Sequence, residues 1–258
     1  MRALFASCLV LSLSLARPAA AFEWKDPATE AKVEALLQKM TLDEKLGQLQ
    51  QVDAFQTGDK PSISAKLARR GLLGSTLGTG TPKQFNQLQR QALKARLHIP
   101  LLFAFDVIHG YRTIFPTPLA EASAFDPSLA ERTAAAAADE AAAVGLKWTF
   151  APMVDIARDP RWGRIVEGAG EDPRLGSELA AARVRGFQGT DPSALDRVLA
   201  CAKHWVAYGA VEGGRDYAGA EVSEPTLRDV YFPPFKAALD AGVGTFMSAF
   251  NDLNGVPA

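Results

Sequence analysis

Three stretches of this chain gather acidic, basic and hydrogen-bonding side chains where an apolar run ends. The first is Phe103-Ala-Phe-Asp-Val-Ile-His-Gly110. Asp106 follows the apolar run, and a carboxylate in that place can accept hydrogen bonds from two neighbouring hydroxyls, which suits a pyranose ring. It can equally cap a helix or pair with a cation, and His109 reads as a packed or hydrogen-bonded loop histidine. The second runs from Asp155 to Pro173 and packs three arginines, several acids and Trp162 into a glycine-punctuated loop. Long polar loops of this kind are more often functional than structural, although most of their charges pair with one another. Arg164 is the ligand candidate there, because a guanidinium fork can bridge adjacent hydroxyls. The third is Ala202-Lys-His-Trp205 and the loop that follows it to Tyr217. A Lys203-His204 pair at the end of an apolar strand is costly to bury unless both groups find partners.

Other chemistries lack support. The three histidines, at 98, 109 and 204, form no zinc spacing with one another or with Cys201, so no metal and no cofactor is expected. There is no Gly-x-Ser-x-Gly elbow, no Walker A sequence, and no Gly-x-Gly-x-x-Gly within the glycine-rich stretch 71–80.

The elements that must position these residues alternate. Residues 30–51 have helical apolar spacing, with Thr41 and Glu44 forming a capping-box pattern that splits them into two helices. A short apolar run over 71–77 reads as a buried strand and 82–97 as an amphipathic helix. Strands at 101–105, 148–154, 198–205 and 245–250 then alternate with helices at 126–144, 172–188 and 223–241. Alternation with doubly buried strands implies a parallel sheet, either closed or doubly wound. Asp106, Asp155, Lys203, His204 and Ser248 all fall near strand C-terminal ends, which converge on one mouth in a (β/α)8 barrel. The expected fold is therefore an α/β, TIM-like barrel. It is incomplete, with about five strands near residues 72, 102, 149, 200 and 246 where a barrel has eight.

Residues 1–21 read as an export signal, with Arg2, an apolar stretch from Ala3 to Ala16, and small residues at Ala19 to Ala21. Their removal leaves 26 basic and 29 acidic side chains, a balance unlike that of a nucleic-acid binder. Cys201 is then the one remaining cysteine, so no internal disulfide is expected. The mature chain is expected in the periplasm or outside the cell, without a membrane anchor.

Taken in order, five segments closely resemble the family 3 glycoside hydrolases, most of all their periplasmic bacterial β-glucosidase branch. They are Phe-Asp-Val-Ile-His-Gly at 105–110, Trp-Thr-Phe-Ala-Pro-Met-Val-Asp-Ile-Ala-Arg-Asp-Pro-Arg-Trp-Gly-Arg at 148–164, Gly-Glu-Asp-Pro at 170–173, Lys-His-Trp at 203–205 and Ser-Ala-Phe-Asn-Asp-Leu-Asn-Gly at 248–255. The likeness runs from about Trp24 to Ala258. It implies a barrel followed by an α/β sandwich domain, with glucose held at the barrel mouth. Asp106 would hold the hydroxyls at the non-reducing end, Arg164, Lys203 and His204 its flanks, and Arg215 the same subsite. Met247 would form an apolar wall, and Phe250 stands where many members carry a tyrosine.

The family's nucleophile is an aspartate some thirty residues past Asn254-Gly255, and its acid/base is usually a glutamate in the second domain. Both are expected beyond residue 258, so residues 22–258 are expected to be the N-terminal part of the barrel domain, and no catalytic residue is assigned within them. Retaining hydrolysis needs two carboxyl groups about 5 to 5.5 Å apart, and neither Asp155 nor Glu167 is assigned to such a pair. The aminosugar branch places a histidine in the loop after Lys-His, and residues 205–223 contain none. The implied activity is release of terminal β-D-glucosyl residues from β-glucosides or cello-oligosaccharides. A β-xylosidase or exo-glucanase on the same scaffold, or a non-catalytic sugar-binding fragment, are the alternatives.

Overall fold

The computed structural model describes residues 26–54 and 63–258. The export-signal expectation lies outside them. The elements run α1 (Pro27–Leu37), α2 (Leu42–Gln48), β1 (Gln51–Asp53), α3 (Ile63–Arg69), β2 (Ser75–Leu77), α4 (Pro82–Ala92), β3 (Leu102–Phe105), α5 (Pro118–Ala122), α6 (Pro127–Val144), β4 (Trp148–Thr149), α7 (Pro173–Gln188), β5 (Cys201–Trp205), α8 (Glu224–Thr226), α9 (Phe232–Asp240) and β6 (Thr245–Ser248). A short antiparallel pair, β7 (Asp252–Leu253) and β8 (Val256–Pro257), follows.

The helix ends follow from local chemistry. Thr41 Oγ1 accepts from the Glu44 backbone N–H while the Glu44 side chain accepts from the Thr41 N–H, a reciprocal cap that starts α2. Asp126 and Asp172 accept from the exposed N–H groups of α6 and α7, and each is followed by a proline whose missing donor costs nothing there. Gly145, at φ 108°, closes α6 in a left-handed conformation that a side chain would strain.

Strands β1 to β4 pair in parallel in chain order. Single bridges from Trp148 to Leu199 and from Met153 to Lys203 carry the wall on to β5, which pairs in parallel with β6. A doubly wound sheet would reverse its strand order at a switch point; here six strands follow one another in sequence, which is the wall of a barrel. The sequence leads to five strands, and β1 is the sixth. Residues 49–51 carry helical spacing, yet α2 stops at Gln48 and Gln51 pairs with Ser75. The cause is tertiary: a Cβ on Gly47 would stand 2.4 Å from Leu72 Cα, so the helix packs directly on the backbone leading into β2 and the chain turns into the sheet.

Alternate residues of each strand serve two cores. Phe103 faces outward with Phe85, Leu88 and the alanines of α6, in a cluster shared by the sheet and its helices. Ala104, Phe150 and Cys201 face inward and pack with Leu77, Trp148 and Met247. α6 buries Ala130, Ala134, Ala137, Ala138 and Ala141, a small-residue face against which α7 settles. At Gly186 of α7 a Cβ would lie 2.4 Å from the Glu131 carbonyl oxygen, so this crossing tolerates no side chain. Such packing fixes where each strand ends, and the polar residues of interest stand at those ends.

Candidate active site

β3, β4 and β5 finish side by side, and the segments that leave them meet. Lys203 Nζ donates to Asp106 Oδ1 at 2.6 Å. The lysine is deeply buried, while Asp106 is 40% exposed and keeps an open side. One residue along, Asp155 Oδ2 accepts from the His204 backbone N–H at 3.1 Å and lies 2.8 Å from His204 Nδ1. The β5–β6 register shifts between Lys203 and Trp205, so the ladder breaks where the two basic side chains stand.

Arg164 enters from the 3-10 turn Gly163–Glu167 in the loop after β4. Its Nε and a terminal nitrogen donate to the two Glu167 carboxylate oxygens at 2.7 and 2.9 Å, and its guanidinium carbon lies 5.7 Å from the centre of the Tyr208 ring. Burial works against both charges of this pair. The fork nonetheless holds the Glu167 carboxyl below its ordinary range, helped by the positive charge of Lys203. The same fork, with Asp155 and Tyr208 nearby, keeps Arg164 more firmly charged than usual. The Tyr208 ring stands next to both the Arg164 guanidinium and the His204 imidazole, which brings the Arg164–Glu167 pair beside the Asp155–His204 pair.

An aromatic layer stands behind it. Tyr208 packs edge-on against Trp162 and His204, with ring centres 5.2 and 5.3 Å away. Burial raises the Tyr208 hydroxyl pKa, as does its hydrogen bond to Asp216, which also accepts from Trp162 Nε1 at 3.1 Å. Phe250 and Tyr217 lie outermost, 5.3 Å apart and both well exposed. Gly209 lets the loops after β4 and β5 close on each other, since a Cβ there would stand 2.2 Å from the Ile156 carbonyl oxygen.

Of the residues singled out in the sequence, Asp106, Arg164, Lys203 and His204 are brought together. Met247 is the register partner of Lys203 on β6, and its side chain packs on the inward-facing cluster. Arg215 stays outside the ion-pair network: its side chain is 74% exposed and its acidic neighbour is Glu212 at 3.8 Å. Its chain neighbour Asp216 does take part. His109 is a loop residue, its Nδ1 2.9 Å from the Phe115 carbonyl oxygen. Glu167, Tyr208 and Asp216 escaped the sequence reading as site members, and Asp155, placed there among the strand-end residues, was given no role. A signal for Asp155 was available, because a buried Lys-His pair requires acidic partners. Among the described residues no group of three or more His, Cys, Asp and Glu is placed to hold a metal ion, and no helix is long and apolar enough to cross a membrane.

Comparison with known proteins bears on this arrangement. The model of the glycosyl hydrolase family 3 N terminal domain matches residues 41–258. A periplasmic beta-glucosidase of Salmonella typhimurium is 45% identical over 232 residues, covering 90% of this chain and 30% of that protein. A beta-xylosidase of Formosa agariphila is 35% identical over 236 residues, covering 90% of this chain and 29% of that protein. The crystal structure of a beta-glucosidase from Listeria innocua in complex with glucose superposes with a TM-score of 0.82 at 41% identity, over 89% of this chain and 34% of that one. The chain thus spans about a third of the length of these relatives. With the parallel wall, the polar mouth and a family match over most of its length, this chain belongs to the glycosyl hydrolase family 3 N terminal domain family.

Proposed function

We propose that this chain forms the glucose-recognising part of an exo-acting, retaining β-glucosidase that acts on β-glucosides and cello-oligosaccharides. The observation that carries the reading is the convergence of Asp106, Lys203 and His204, from the ends of β3 and β5, with Arg164 from the loop after β4, on one cluster. Asp106 has its unpaired oxygen and its exposed side available to two adjacent hydroxyls. Lys203 supplies a compact positive charge that fixes that carboxylate and can donate to the same hydroxyls. Arg164 and His204 hold the flanks of the ring with Lys203, Met247 provides an apolar wall, and Arg215 reaches the same subsite from its exposed loop. Binding of this kind orients the anomeric carbon, and orientation is itself a large part of a rate enhancement.

The bond-breaking carboxyl pair is assigned to sequence beyond residue 258: a nucleophilic aspartate and a glutamic acid/base, as the family resemblance implies. On this reading residues 22–258 are the N-terminal part of the barrel domain, and the chain contributes recognition. Export to the periplasm or beyond the cell fits the leader-like residues 1–21 and the periplasmic relative.

A second reading, a β-xylosidase, has the 35% identical xylosidase in its favour. Turnover of aryl β-glucoside and aryl β-xyloside, compared on the polypeptide of the relatives' length that carries this chain, separates the two. Preference for the glucoside supports the proposal, and preference for the xyloside overturns it.

A further inference from the structure

Asp155 and His204 are the most completely buried acid–base pair among the described residues, with both side chains 1% exposed. Asp155 Oδ2 takes both bonds from His204, to its backbone N–H and to Nδ1. The other oxygen, Oδ1, is buried with no hydrogen-bond partner among the described residues. Every hydrogen bond of this carboxylate therefore goes to a single residue. Burying a carboxylate so sparsely partnered costs stability, and fold maintenance alone would favour an apolar pair of the same volume. The ring it meets is also packed in place, with Tyr208 and Phe250 centred 5.3 and 5.8 Å away. An ionised carboxylate can only accept hydrogen bonds, and a neutral imidazole carries one N–H. In a neutral ring facing an ionised carboxylate that proton sits on Nδ1, which leaves Nε2 with a lone pair.

We infer that Asp155 is a positioning residue that holds His204 as the Nδ1–H tautomer, so that Nε2 accepts a hydrogen bond from one hydroxyl of the bound sugar. This rests on the reading of the mouth as a pyranose pocket. The other charged and titratable groups around the ring are Lys203 beside it on β5, Arg164 and Glu167 on the turn after β4, and Tyr208 and Asp216 in the loop after β5. An acceptor at Nε2 selects for a hydroxyl at that point of the sugar. A deoxy analogue would leave a buried acceptor without a donor.

The test is the ¹⁵N–¹H long-range correlation spectrum of the three histidines near neutral pH, with His204 identified by its loss in His204→Gln. The expected wild-type pattern is a protonated Nδ1 and a bare Nε2. Asp155→Asn, whose amide can donate to Nδ1, should move the proton to Nε2 and weaken glucose binding about tenfold or more. Asp155→Glu should restore the Nδ1–H pattern. A wild-type ring with its proton on Nε2, or protonated at both nitrogens, would overturn the inference. So would an Asn variant that keeps both the pattern and the affinity. Should that variant not fold, the wild-type spectrum decides alone. Absence of glucose binding by the wild type would instead sink the pyranose reading, and the spectrum would still report the tautomer.

Discussion

Lys203 Nζ and Asp106 Oδ1 lie 2.6 Å apart although 97 residues of chain separate them, and they do not share the contact evenly. The ammonium is 3% exposed and the carboxylate 40%. The lysine therefore depends on the aspartate for its charge balance, while the aspartate retains a solvent-facing side on which to receive a ligand. A pair with one partner sealed and the other open is suited to binding as well as to structure.

The dependence is measurable. Asp106→Ala leaves a buried ammonium without its anion, a change that costs about 3–5 kcal/mol for fully buried pairs. The exposure of Asp106 lets water replace part of the lost contact, so a cost of about 1–3 kcal/mol is expected for this pair. Urea unfolding of the two proteins measures it. Lys203→Met in the Asp106→Ala background should recover part of the loss.

A second buried pair supports the loop that carries Asp106. Arg183 of α7 contacts Glu121 of α5 and donates to the Ile108 carbonyl oxygen at 3.1 Å, two residues past Asp106. Glu121 also accepts from Thr133. Glu121→Ala should cost about 3–5 kcal/mol, because Arg183 stays buried. Glu131→Ala, which breaks the exposed pair with Arg185, should cost about 0–1 kcal/mol. Equal losses in chemical denaturation would contradict the assignment of burial.

The acid limb of the stability curve should contain a contribution from Glu44. Its carboxyl is lowered from 4.5 to about 2, first by the Arg96 guanidinium and then by the Thr41 backbone N–H. A carboxyl depressed in the folded state adds stability that is fully present above its unfolded value and is lost as pH falls through the folded one. The loss should therefore fall between about 4.5 and about 2. Glu44→Gln keeps the reciprocal cap but does not titrate, so its melting temperature should fall less steeply across that window.

Much of the fold was legible in the sequence because the period changes cleanly between strand and helix. The Thr41–Glu44 cap, the Asp126-Pro127 and Asp172-Pro173 helix starts and the strands around 102, 200 and 246 all follow from local chemistry. β1 was not legible, since residues 49–51 carry helical spacing and only the pairing of Gln51 with Ser75 makes them a strand. At the site, Asp106, Arg164, Lys203 and His204 could be picked out by type and position. Which acid meets which partner could not, because the bonds of Asp155 to His204 and of Asp216 to Tyr208 depend on how loops fold between strands. Arg215 shows the converse: its neighbour Asp216 is drawn into the aromatic layer while its own side chain stays in solvent.

Whether one sugar is met by groups from the end of β3 and from the loop after β4 can be read by calorimetric titration of glucose into this protein and its Asp106→Ala and Arg164→Ala variants. Saturable binding by the wild type is expected, with a loss of about tenfold or more in each variant. Unchanged affinity in both variants, or no saturable heat with the wild type, would contradict a pyranose pocket at this mouth.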